Sequence, residues 1–107
     1  MISTHILDTM HGDPAANVSV TLEKRDGDTW SLLEEAKTND DGRIVFNCES
    51  VAGDYRLTFN SHEYFKAKGV ECFFLATPVA FHISDTNRKY HVPLLLNPYG
   101  YSTYRGS

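Results

Sequence analysis

The chain has 107 residues, 41% of them hydrophobic and 22% charged, the composition of a soluble globular protein with room for one domain, 1–107, and one core. Ten basic and fourteen acidic residues give a net charge of −4, and the nearest thing to a basic cluster, Lys24-Arg25, runs straight into acidic and turn residues. Nucleic-acid binding needs a basic stripe and a membrane span needs a long apolar run, so both are set aside.

The N-terminal MISTHILD has no basic segment followed by an apolar one. A cytoplasmic location is therefore the expectation, with the periplasm or peroxisome left open if the chain is a piece of a longer protein. In this stretch His5 sits between Thr4 and Ile6, and strand alternation would turn it away from Ile6. The Asp/Asn, Gly and Pro content of His11–Pro14, Arg25–Asp28 and Asn39–Gly42 marks turns. Between them, Val18, Val20 and Leu22 alternate with Ser19 and Thr21, and Trp30 to Lys37 is a more polar strand candidate. Tyr55, Leu57 and Phe59 alternate with Arg56, Thr58 and Asn60, which predicts a strand with one face in the core.

One segment reads as helical. Asn60 as N-cap, Glu63 three residues on and Gly69 as a stop predict a short helix over 61–68. Val79, Phe81 and Ile83 then form another alternating strand, and Tyr90 to Leu96 is apolar on both faces, as expected of a strand buried on both sides or at a subunit contact. Within it His91 lies between Tyr90 and Val92, so a core-facing Tyr90 would turn His91 outward. Many short strands, frequent turns and one helix predict an all-β antiparallel sandwich.

The chemistry is narrower than five histidines suggest. His62-Glu63 begins like a metalloprotease signature, but Lys66 stands where the second histidine belongs. No histidine or cysteine pair has zinc-site spacing, so no metal is expected. No Gly-x-Ser-x-Gly elbow is present to activate a serine. Cys48 and Cys72 have neither metal nor redox-motif spacing and read as free thiols, with a disulfide neither required nor ruled out. The C-terminus is unusual, packing Tyr99, Tyr101, Ser102, Thr103, Tyr104, Arg105 and Ser107 into its last positions. Such a tail is either an ordinary edge strand or the lining of a polar pocket.

Taken together, Ser3-Thr4-His5-Ile6-Leu7-Asp8-Thr9, Gly12-Asp13-Pro14-Ala15, the Asn39–Arg43 turn, Tyr90–Leu96 and the closing Tyr101–Ser107 resemble the 5-hydroxyisourate hydrolases of the transthyretin-related family. The resemblance runs end to end, and the terminal Tyr-Arg-Gly-Ser is its most specific element, because it separates the hydrolases from transthyretin proper. Asn97, where many relatives have serine, is a small departure away from the proposed catalytic groups. The resemblance implies a transthyretin-like antiparallel β-sandwich of two sheets with Greek-key connections and one short helix. It implies hydrolysis of 5-hydroxyisourate to 2-oxo-4-hydroxy-4-carboxy-5-ureidoimidazoline in urate degradation, with no cofactor. It places His5, Arg43, His91 and Ser107 in the catalytic group, with Tyr104, His5 and Arg43 binding substrate. It also implies a homotetramer, a dimer of dimers with sites where the dimers meet. Which of His5 and His91 is the base stays open at this point. So do two other functions on the same fold: a carrier of small aromatic ligands, and an interaction domain without pocket chemistry.

Overall fold

The alternating segments assemble into two sheets that face each other across a single core. The computed structural model describes residues 1–48 and 51–107. In chain order the elements are β1 (Ile2–Asp8), β2 (Asp13–Pro14), β3 (Ser19–Asp26), β4 (Thr29–Lys37), β5 (Arg43–Phe46), β6 (Gly53–Phe59), α1 (Ser61–Ala67), β7 (Thr77–Ile83), β8 (Tyr90–Asn97) and β9 (Gly100–Thr103). One sheet has the order β4-β3-β6-β7 and is antiparallel throughout. The other has the order β2-β1-β8-β9, and β5 shares with β2 the free edge of β1.

Burial follows the predicted faces. Val20 and Leu22 of β3, and Tyr55, Leu57 and Phe59 of β6, are buried against Ile2, Ile6, Leu94 and Leu96 of the opposite sheet. Full burial of each such side chain contributes roughly 1.5–3 kcal/mol. The polar strand β4 lies at an edge, where Leu32 and Leu33 remain exposed. Val79 and Phe81 are only partly buried, because β7 is the other edge of that sheet.

Three details differ from the sequence reading. β1 and β8 run parallel, so the second sheet is mixed rather than antiparallel throughout. Most of the chain lies between these two strands, which gives the long crossover that a parallel pair requires. β5 is a strand that alternation alone did not mark. At the start of α1, Asn60 holds the N-cap position but its side chain makes no capping hydrogen bond, so the expected capping box with Glu63 does not form. The far end of the helix does behave as predicted. Gly69 N–H donates to the Lys66 carbonyl at 3.0 Å and Val70 N–H to the Phe65 carbonyl at 2.9 Å, the paired bonds of a Schellman stop. A seven-residue helix is too short to be stable alone. It is held by burial of Tyr64 and Phe65 and by the Tyr64 hydroxyl, which donates to Asp8 Oδ2 at 2.7 Å. Cys48 is half-buried, Cys72 is buried, and both are free thiols.

Candidate active site

Strand β1 sends Ile2, Thr4, Ile6 and Asp8 into the core and turns Ser3, His5 and Leu7 to the outer face of the mixed sheet. The Asn39–Gly42 turn then brings in Arg43. Asn39 Oδ1 accepts the amides of Asp41 and Arg43, each at 3.0 Å, and Ile6 N–H donates to the Gly42 carbonyl at 2.8 Å. Gly42 has φ +73°, and a Cβ there would lie 2.6 Å from the Ile6 carbonyl oxygen, so only glycine lets the turn approach β1 this closely. The result is a cross-strand pair with Arg43 directly opposite His5.

On the other side of β1, the parallel register sets Ser3 opposite His91 and His5 opposite Pro93. Tyr90, Val92 and Leu94 are buried, and His91 faces outward as alternation predicts. Ser3 Oγ lies 2.9 Å from His91 Nδ1. The C-terminal tail closes over the same strand: Gly106 N–H donates to the His91 carbonyl at 2.8 Å. A Cβ at position 106 would stand 2.6 Å from His91 Cδ2 and 3.2 Å from Pro93 Cγ. Gly106 is therefore glycine because the tail backbone lies directly on the imidazole. This cover also explains why Pro93 is buried although its neighbours in register face outward.

Burial, and then the positive charge of Arg43 and the nearby His5, push the His91 pKa below its ordinary value. His91 is therefore neutral at neutral pH.

The structure thus brings together His5, Arg43, His91 and the Gly106-Ser107 end. Ser107 is exposed and its side chain makes no hydrogen bond among the described residues. The His91–Gly106 bridge keeps the register of the β8–β9 ladder, which sets Tyr104 opposite Pro93, in the row of Arg43 and His5. Tyr104 and Arg105 also border a recess of about 260 Å³ with Phe81, His82 and Tyr90 at the edges of the two sheets. Neither His5, Arg43 nor His91 lines that recess. The other histidines stay apart. His11 pairs with buried Asp8 at 2.6 Å, His82 with Asp54 at 2.7 Å, and His62 lies in the first turn of α1. Among the described residues no group of three or more His, Cys, Asp or Glu side chains is placed to hold a metal ion. Sequence reasoning missed Ser3, whose tie to His91 depends on a parallel register between distant strands.

A family model described as HIUase/Transthyretin family matches residues 2–106. The 5-hydroxyisourate hydrolase of Salmonella typhimurium is 49% identical over an alignment that covers 100% of this chain and 81% of that protein. The solved 5-hydroxyisourate hydrolase of Klebsiella pneumoniae is 39% identical with a TM-score of 0.88, covering 99% of this chain and 98% of the other. Sea bream transthyretin, solved in complex with thyroxine, is 27% identical with a TM-score of 0.92, covering 98% of this chain and 93% of the other. A transthyretin and a 5-hydroxyisourate hydrolase superpose equally well, so the backbone does not separate them. The higher identity to the hydrolases does.

Proposed function

The chain belongs to the HIUase/Transthyretin family, and from that membership we propose that it hydrolyses 5-hydroxyisourate to 2-oxo-4-hydroxy-4-carboxy-5-ureidoimidazoline. The observation that carries this reading is the convergence of Arg43, His5 and His91 on one sheet face, with the C-terminal tail bridged to His91. Opening the ring by attack of water on an amide carbonyl needs a base for the water, a positive group for the developing oxyanion and an acid for the leaving nitrogen. His91, neutral and held at Nδ1, is suited to take the water proton on Nε2. The water oxygen bonds to the ring carbonyl carbon, and the charge that gathers on the carbonyl oxygen faces the Arg43 guanidinium. The carbon–nitrogen bond then breaks and His5 delivers a proton to the departing nitrogen. His5 takes up the remaining proton of the new carboxyl group, which leaves as the carboxylate, and His91 returns the water proton to solvent. Tyr104 packs on the planar ring, and the Ser107 hydroxyl orients the water. The step uses only groups of the chain and asks nothing of a cofactor.

A half-exposed sheet face supplies one wall of a site, whereas small planar ligands are bound in concave ones. The second wall is assigned to another copy of the chain, in a homotetramer built as a dimer of dimers. The decisive experiment replaces His91 by Asn and follows the absorbance of freshly generated 5-hydroxyisourate against its spontaneous decay. A base contributes about 10²–10⁴-fold, so kcat should fall by that factor in a protein that keeps the wild-type Tm. Turnover equal to wild type would overturn the assignment.

A further inference from the structure

Among the described residues, three histidines have a hydrogen bond at Nδ1: His11, His82 and His91. For His11 and His82 the partner is a carboxylate, Asp8 at 2.6 Å and Asp54 at 2.7 Å. For His91 alone it is a hydroxyl, Ser3 Oγ at 2.9 Å. The difference has chemical weight. A carboxylate at Nδ1 favours the imidazolium and makes the ring more basic, whereas a hydroxyl fixes the ring without adding charge.

The rest of the surroundings specify the ring further. The tail backbone at Gly106 lies on the Cδ2 side, where not even a Cβ would fit, so Nδ1 is turned toward Ser3. Nε2 has no hydrogen-bond partner among the described residues. In neutral imidazole one nitrogen carries the proton and the other the lone pair, and the partner of the first decides which is which.

We propose that Ser3 is a positioning residue for His91: its hydroxyl accepts the Nδ1–H, locks ring orientation and tautomer, and leaves the Nε2 lone pair facing the outer surface. The consequence for rate rests on the hydrolytic reading above; the tautomer does not. Ser3 touches no reacting atom and acts only through the imidazole. Its position follows from the parallel β1–β8 ladder, which puts positions 3 and 91 side by side on one face. The parallel pairing of two distant strands thereby becomes part of the catalytic apparatus.

The test combines ¹⁵N imidazole spectra with steady-state kinetics on the full chain. In the wild type, at a pH where His91 is neutral, the proton should reside on Nδ1, and in Ser3→Ala it should move largely to Nε2. With one orienting hydrogen bond lost, kcat should fall by about five- to tenfold with KM nearly unchanged. Ser3→Thr, which keeps the hydroxyl on a strand-compatible side chain, should restore both the tautomer and kcat. A wild-type His91 protonated on Nε2, an unchanged tautomer in Ser3→Ala, or an unchanged kcat in a Ser3→Ala protein whose tautomer has moved would each overturn the proposal. A wild-type protein that shows the expected tautomer but does not hydrolyse 5-hydroxyisourate would sink the hydrolytic reading and leave the Ser3–His91 pairing standing.

Discussion

A histidine that acts as a base does so only in its neutral form, and the surroundings of His91 favour that form. Partial burial comes first, and the guanidinium of Arg43 and the neighbouring His5 add to it, all three working against the imidazolium. The sign is simple. With the pKa held below the ordinary imidazole value of about 6.5, the base stays neutral until the pH falls below that value, so the acid limb of kcat/KM should lie there. Arg43→Gln removes one of the positive charges that disfavour protonation. The His91 pKa, read from its ring resonances across pH, should rise toward the ordinary value, and what remains of the acid limb should move up with it. A titration that stays in place in Arg43→Gln would show that Arg43 does not contribute to the value. His5, Arg43 and His91 were legible in the sequence because each sits in a short segment with its own family resemblance. Ser3 sits in one of those segments too, yet its role was not legible, because residue order carries no trace of the β1–β8 register.

At the scale of elements, the most telling tie joins α1 to β1. Asp8 is fully buried, yet its carboxylate accepts the Tyr64 hydroxyl at 2.7 Å, His11 Nδ1 at 2.6 Å and the amides of Met10 and His11, both at 3.0 Å. Burial alone would raise its pKa, but the bonds from Tyr64 and His11 outweigh it and hold the carboxyl below its ordinary range. The Tyr64 hydroxyl, desolvated and facing that carboxylate, is correspondingly pushed up and stays protonated. Tyr64→Phe leaves the ring packing but removes a hydrogen bond to a charged acceptor, a loss of about 1.5–3 kcal/mol. Urea unfolding at pH 7 should show that loss. A depressed carboxyl contributes stability that is present above its unfolded pKa and is lost as pH falls through its folded one. The gap between wild type and Tyr64→Phe should therefore narrow as the pH drops below about 4. A gap that persists unchanged in acid would mean that packing, not the charge, carries the effect. None of this was visible in the sequence, where Asp8 and Tyr64 look like unrelated polar residues. The long strands were visible, because period-2 alternation survives wherever one face is buried. β5 was not, because four residues with only Ile44 and Phe46 buried carry too little pattern.

For the molecule as a whole, the outer face of the mixed sheet raises a question that its own chain does not answer. The His5, Arg43 and His91 group is flanked there by Leu7 and Leu95, both only half-buried, and by exposed Val45, and the β8–β9 turn ends in exposed Tyr99. Leu7 and Leu95 are cross-strand partners, so their side chains form a small apolar row beside the row of His5 and Pro93. An apolar row next to a polar reaction centre suits a wall that meets a second wall, because closing it removes water from both the leucines and the substrate. The proposed dimer of dimers does this, and it predicts that activity and assembly fail together. In Leu95→Glu a carboxylate is placed where two copies would meet, and taking an unpaired charge out of water costs several kcal/mol. The side chain already faces outward, so the single subunit has no reason to unfold. Sedimentation should show a smaller species with the wild-type circular dichroism spectrum, and specific activity should fall by about tenfold or more. Wild type should behave likewise on extreme dilution, losing specific activity as tetramers separate. A smaller Leu95→Glu species with full activity would place the complete site within fewer chains. A tetramer of undiminished stability would move the contact to another face.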